Sequence, residues 1–448
     1  MVHRKGLVRA AAFAALACTG IVRAETGVPA NDGLTLRPQL LDAATEPAAP
    51  PATAPASTPT PLMAALGGTP IGNALDAAGI HIGGYVEGGY TYQTDSPPRN
   101  VITGRVFDTK HERVVLDQAD FAISRTVDYN AAAKDHRFDV GATLELQYGW
   151  DTGITHSDGL YDNPSNSRKT SAGAYYSSRT QPENQFDINQ AFVDIAIPVG
   201  TGLRLRVGKE ITPNGYEVIN PTGNQFYSHS YLFGFAIPFT NTGVFAEYKI
   251  NDDWLFDGGI SRGWNQSLRD NNGQADALGS VTWTPHTNDE LKKWKVTINT
   301  ELGPEAASDN HDWWTLIDVI ATYTASDQLT LAFNGDYGDA PHALLGTSAQ
   351  WYGIAAYASY VINPMFTFNA RGEWYQDVHG FTLGGAAGTL NVYEATVGLK
   401  ITPFPDNAIL SNLVIRPELR GDYADKAFFD GGTDHYQFTA GIDAYFVY

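Results

Sequence analysis

Apolar and polar residues alternate through most of the chain, most clearly at the C-terminus. From His435 to Tyr448, Tyr436, Phe438, Ala440, Ile442, Ala444, Phe446 and Tyr448 take every second position, with His435, Gln437, Thr439, Gly441, Asp443 and Tyr445 between them. A period of two sends successive side chains to opposite faces of a strand, so this segment has one greasy and one wet face. Its length suffices for the roughly 9–11 residues with which a tilted strand crosses a bilayer. Similar segments lie at 80–93, 114–126, 138–150, 188–197, 203–211, 242–250, 254–265, 275–285, 294–303, 312–324, 328–338, 350–362, 365–376, 390–402 and 412–424, making sixteen in all. The fold this predicts is all-β: a transmembrane, antiparallel, up-and-down barrel of about 16 strands.

Connection lengths point the same way. Short turns follow some strands, at 198–202, 251–253, 326–327 and 363–364, while polar links at 94–113, 151–187, 212–241, 339–349, 377–389 and 425–434 follow others. Short periplasmic turns alternating with long outer loops is the asymmetry of bacterial outer-membrane barrels. An even strand count returns Tyr448 to the periplasmic side, next to the first strand. The run Tyr231 to Ile237 (YLFGFAI) resembles a strand in composition, but counting it would break parity, so it is assigned to the third loop, 212–241. All nine tryptophans fall at or close to a proposed strand end, where indole favours the bilayer interface, and are expected to form aromatic girdles.

Export signals agree with this picture. Arg4, Lys5 and Arg9 precede the apolar stretch Ala10 to Ala17, and Val22-Arg23-Ala24 ends on a small residue, so residues 1–24 read as a signal peptide. No later run reaches eighteen consecutive apolar residues, and no helical span is expected. Residues 25–79 read as a Pro/Ala-rich periplasmic linker, since 43–61 is almost wholly Ala, Pro, Thr and Ser and cannot bury a core. Leu62 to Ala78 is expected to form a short amphipathic helix interrupted by Gly67, Gly68 and Pro70; residues 80–448 form one barrel domain. The single cysteine, Cys18, lies in the leader, so the mature chain has no thiol chemistry, and the leader lacks the usual leucine three places before it for lipidation. Beyond the leader 25 basic residues face 49 acidic ones, which argues against nucleic acid as a partner. The expected partners are outer-membrane lipids and, through the C-terminal strand, the barrel-assembly machinery.

Several runs, in order along the chain, resemble the OmpL-like β-barrel porin family of bacterial outer membranes. They are Gly104-Arg105-Val106-Phe107-Asp108 with Leu116-Asp117-Gln118-Ala119, then Pro198-Val199-Gly200-Thr201-Gly202-Leu203, then Val207-Gly208-Lys209 through Gly215-Tyr216-Glu217. Asn224-Gln225-Phe226-Tyr227-Ser228-His229-Ser230, Ile237-Pro238-Phe239-Thr240-Asn241-Thr242-Gly243-Val244 and Arg416-Pro417-Glu418-Leu419-Arg420 complete the set. The resemblance implies an outer-membrane barrel passing small hydrophilic solutes or ions. The chain departs from the common barrel ending by closing on tyrosine in place of phenylalanine.

In a pore the working residues face the lumen. Parity turns Arg204 and Arg206 inward on one strand, Arg371 and Glu373 on another, and Arg416, Glu418 and Arg420 on a third. A charge facing lipid would cost roughly 2–4 kcal/mol at mid-bilayer, which favours these inward positions. Such charges often do no more than pair across the lumen and stiffen the wall. The third loop offers a sharper expectation, because Tyr227 to Phe233 is too apolar for a freely solvated loop. Folded inward, it would bring Glu210, Glu217 and His229 against the basic wall of Arg204 and Arg206 and form a constriction. The acidic excess suggests mild cation preference.

Two other classes compete. A receptor or adhesin would use long loops such as 151–187, which carries Tyr161, Tyr175 and Tyr176. An outer-membrane hydrolase would need a Ser–His or Asp–His pair; His156, His229, His311 and His379 lie in loops, but no GxSxG or HExxH motif is present. No enzyme, cofactor or metal site is expected. Asp270-Asn271-Asn272-Gly273 followed by Asp276 offers oxygen ligands for Ca²⁺, yet lacks the spacing of an EF-hand and reads as an Asx turn. Association as a homotrimer is a further expectation.

Overall fold

A computed structural model describes residues 60–160, 183–306, 310–344, 347–384 and 388–448. The expected signal peptide, Cys18, residues 25–59 of the linker and the tyrosines Tyr161, Tyr175 and Tyr176 lie outside the described residues.

The predicted helix before the barrel is two helices, α1 (Pro61–Leu66) and α2 (Pro70–Ala78). Each begins with proline behind a threonine cap, Thr60 accepting from the Met63 N–H and Thr69 from the Gly72 N–H. They part at Gly67 and Gly68, the latter with φ +75°.

Sixteen antiparallel strands follow, running β1 (His81–Gln93), β2 (Arg113–Arg125), β3 (Asp139–Gly149), β4 (Gln185–Ile197), β5 (Leu203–Ile211), β6 (Thr240–Lys249), β7 (Trp254–Ser261) and β8 (Asp276–Trp283). The second half runs β9 (Trp294–Pro304), β10 (Trp313–Thr324), β11 (Leu329–Leu344), β12 (Thr347–Asn363), β13 (Phe366–Val378), β14 (Leu390–Ile401), β15 (Leu413–Ala424) and β16 (Tyr436–Val447). Every strand pairs with its sequence neighbours, and β16 closes on β1 in a single barrel. At the seam Tyr85 stands opposite Val447 and Gly89 opposite Asp443. Closure leaves no unpaired edge, which a membrane demands of a sheet because lipid offers backbone groups no hydrogen bonds.

Alternation sorts the two faces as the pattern requires. On β16, Gln437, Thr439 and Asp443 are each 2 % exposed, whereas Phe438 and Ile442 on the opposite face are 46 % and 45 % exposed. One departure concerns the link between β11 and β12, expected as a loop over 339–349. The two strands extend to Leu344 and from Thr347, so paired strands replace most of that loop. The other concerns the tryptophans. Trp351 and Trp314 point inward, and with Trp264 they form edge-to-face contacts at 5.8–6.2 Å inside the barrel, not a girdle.

Candidate pore site

The third loop leaves β5 and returns to β6, its ends closed by the Thr212 N–H donating to the Phe239 carbonyl at 3.0 Å. Tyr231 to Ile237 is no strand: Leu232–Ala236 forms a short π-helix. Between its ends the loop is gripped by strands on both sides of its root, none of them adjacent to β5. Asn299 of β9 donates to the Pro213 carbonyl at 3.0 Å, and Asn334 of β11 accepts from the Tyr216 N–H at 2.9 Å. Gln118 of β2 donates to the Ile219 carbonyl at 2.9 Å. Since β13 stands eight places and β15 six places from β5 around a closed ring of sixteen, a segment rooted on β5 and bonded to both crosses the lumen.

A backbone taken out of water needs a partner for each N–H and C=O, and the inward charges of β13 and β15 supply many of them. Glu373 accepts the Tyr231 and Leu232 N–H groups, both at 2.7 Å, at the start of the π-helix where N–H groups have no intrahelical acceptor. Glu418 accepts the Tyr227 N–H at 2.9 Å and the Ser228 N–H at 3.2 Å. Arg416 donates to the Pro221 and Asn224 carbonyls at 2.9 and 3.0 Å while its other nitrogens hold Asp443 and Glu87. Arg420 donates to the His229 carbonyl at 2.6 Å and to Asp422 at 2.9 Å. Arg371 reaches Glu217 at 2.7 Å, the Ser228 carbonyl at 2.8 Å and Glu394 at 2.7 Å.

The apolar part of the loop packs where the polar part anchors it. Tyr231, Leu232, Phe233, Ala236, Ile237 and Phe239 join Trp351, Tyr375 and Leu316 of the wall in one buried cluster. Trp351 closes it by donating its indole N–H to the Ala236 carbonyl at 3.0 Å. This packing accounts for a run that seemed too apolar for a loop. The first long loop, 94–112, joins in: Phe107 lies 4.8 Å from the His229 ring and 5.6 Å from Phe233. Its Arg105 donates to Asp422 at 3.1 Å and to Thr439 at 2.8 Å. Arg105 and Phe107 had stood out only as part of a family resemblance, and a charged residue beside Val106 and Phe107 was the available hint of burial.

Arg204 and Arg206 face a different environment. Arg206 pairs with Asp194 at 2.8 Å and with Glu210 at 2.9 Å, its guanidinium 3.7 Å above the Phe192 ring. Arg204 lies 2.7 Å from Glu247 and 3.7 Å from Asp257. Glu210 thus meets the basic wall as expected, but Glu217 and His229 do not. Because the loop crosses the lumen, its middle residues are delivered to Arg371 and Arg420 on the far side. Burial pushes the His229 imidazole down to about 4, against the pull of Glu217, so the ring is neutral at pH 7. Burial also opposes the charge on Glu217, but the adjoining Arg371, with His229 and the Ser230 N–H, outweighs it and holds that carboxyl below its ordinary value.

The model of the family described as "Putative beta-barrel porin-2, OmpL-like" matches residues 79–448. The chain belongs to this porin family. Membership places it in the bacterial outer membrane as a channel-type barrel. No curated protein matches its sequence. Among solved structures, the porin is similar to the anion-selective porin from Comamonas acidovorans, at 10 % identity and TM-score 0.55 over 82 % of this chain and 99 % of that one. It is also similar to the outer membrane channel DcaP of Acinetobacter baumannii, at 11 % identity and TM-score 0.52 over 82 % and 97 %. Pseudomonas putida OprB matches at 13 % identity and TM-score 0.51 over 85 % and 96 %. At these identities the likeness is one of fold.

Proposed function

We propose that this porin passes small hydrophilic solutes by diffusion, without catalysis, and that its third loop narrows the lumen to a passage along β4 to β7. The observation that carries this is the contrast in solvent access. The Arg371 and Arg420 side chains are 0 % exposed under the loop, whereas those of Arg204 and Asp257 are 21 % and 27 % exposed. Along β4 to β7 Asp194, Glu210, Glu247 and Asp257 outnumber Arg204 and Arg206, with Arg204 and Asp257 the most open of the six. A surplus of carboxylates on a narrow passage raises the local concentration of cations, so mild cation preference is expected. The anion selectivity named for the Comamonas porin is the opposite sign and sets a clear contrast.

Reconstitution into planar bilayers in a salt gradient tests the reading. A channel whose reversal potential has the cation sign supports it, and the anion sign would refute the preference. Deleting 224–235 should raise single-channel conductance, and an unchanged value would refute the role of the loop. The dense packing of two loops in one half of the lumen favours a second reading, a receptor-like barrel without an open pore, and absence of any channel would select it. A periplasmic N-terminal segment, handling by the assembly machinery through β16 and association as a homotrimer belong to the same proposal. The mass of the detergent-solubilised complex reads out the last of these.

A further inference from the structure

Behind the root of the third loop three acidic side chains converge from separate segments: Asp276 at the start of β8, Glu301 on β9 and Glu305 just past the end of β9. One oxygen from each lies within 4.8 Å of the other two, and all three residues are buried. Among the described residues, none of the three forms an ion pair with a lysine, arginine or histidine. This sets them apart from Glu217, Glu394 and Asp443, each of which faces an arginine. Neither carboxylate oxygen of Asp276, a residue 1 % exposed, accepts from an N–H or hydroxyl group; what stands beside it is the Glu305 carboxyl, itself an acceptor unless a proton is shared between the two. Grouped anions withheld from water and from any base are costly, and a cation or a proton must offset them.

The surroundings hold the other two carboxylates in place. Glu301 accepts from Asn241 at 2.7 Å and from Asn214 at 3.3 Å, one residue from each end of the third loop. Glu305 accepts the Trp264 N–H at 2.8 Å. The Asp276 carboxylate fits against Gly303, where an added Cβ would lie 1.8 Å from its Oδ1, and Glu305 fits against Gly263 in the same way at 2.8 Å. The neighbouring Asp270 accepts from the Asn272 and Gly273 N–H groups, so that part of the sequence is an Asx turn.

We propose that Asp276, Glu301 and Glu305 form a binding site for a hard divalent cation, with Ca²⁺ preferred. An all-oxygen, all-carboxylate set selects hard cations over those that favour nitrogen or sulfur. Three protein carboxylates suit Ca²⁺, which takes six to eight oxygens in flexible geometry, better than Mg²⁺, which keeps several of its waters and is usually held by only one or two carboxylates. Water fills the remaining coordination positions. A bound ion would tie both roots of the third loop, through Asn214 and Asn241, to the β8–β9 wall.

Terbium luminescence on the full-length barrel in detergent tests the site, with Tb³⁺ as the probe and tryptophan excitation. The expected result is sensitised emission that Ca²⁺ displaces at lower concentration than Mg²⁺. Affinity should fall at least tenfold in Asp276→Asn and Glu305→Gln and stay unchanged in Asp289→Asn, an exposed carboxylate in the turn at the other end of β8. Should Asp276→Asn fail to fold, Glu305→Gln, outside the strands, carries the comparison. Anomalous scattering from Tb³⁺-soaked wild-type crystals locates the ion without any variant. Emission that Ca²⁺ does not displace, equal affinity in Glu305→Gln, or anomalous density elsewhere would overturn the proposal in favour of a proton shared among the carboxyls.

Discussion

Two arginine groups face the same lumen and do different work. Arg371, Arg416 and Arg420 are almost wholly buried, and every one of them donates to a carbonyl of the third loop as well as to wall carboxylates. Arg204 and Arg206 pair only with carboxylates of β4 to β7, and Arg204 remains partly open to solvent. The first group is a clamp; the second lines the proposed passage. A lumen-facing charge is therefore not by itself a solute-contacting one, and what separates the two roles is whether a loop backbone lies on top.

The largest test of that contrast is Arg371→Ala. It leaves Glu217 and Glu394 buried without their partner, and breaking such a pair costs about 3–5 kcal/mol. Thermal unfolding in detergent should fall clearly. Loss of stability no greater than that of Arg204→Ala would remove the distinction. Leu232→Ala empties the centre of the loop's apolar cluster and should cost about 2–5 kcal/mol in the same measurement, with noisier single-channel currents as the loop loosens.

Acid should act on the clamp in the same direction. His229 has its folded value depressed to about 4, so between its ordinary value near 6.5 and about 4 the unfolded chain binds more protons and stability falls with pH. Glu217, also depressed, adds stability present above its unfolded value near 4.5 and lost as pH falls through its folded one. Histidine alone accounts for at most about 3 kcal/mol. Unfolding temperature followed from pH 7 to pH 4.5 should drop more steeply in the wild type than in His229→Gln, and parallel curves would count against the buried neutral ring. The smallest stability effect is expected for Arg204→Ala, about 1 kcal/mol or less because the pair is partly solvated. Its readout is the reversal potential, which should move further toward cation preference; no shift would place the passage elsewhere.

Much of this architecture was legible from residue alternation. All sixteen segments read from the sequence are strands, and β5 matches its expected range of 203–211. That success has a simple cause: each strand must separate lipid from lumen, so its period of two survives along its whole length. The third loop was legible as misplaced apolar surface in Tyr231 to Phe233. Its partners were not, because hydrogen bonds such as Tyr231 to Glu373 join residues 142 positions apart. The tryptophans mislead for a related reason. Strand-end positions suit both a girdle and an inner cluster, and only the inward parity of Trp314 and Trp351, with a loop beside them, decides between the two.

The sequence by itself determined the barrel, its strand count, its lipid-facing band and the inward direction of Arg204, Arg371, Glu373, Arg416, Glu418 and Arg420. These follow from local periodicity, which acts over a few residues and needs no knowledge of distant ones. Only the tertiary structure decided which of those charges clamp a loop and which stay open. It alone sent Glu217 and His229 to Arg371 in place of Arg204, and it alone gathered Asp276, Glu301 and Glu305 behind the loop's root. Charge pairing depends on distance and burial across the closed ring, and a one-dimensional pattern carries neither.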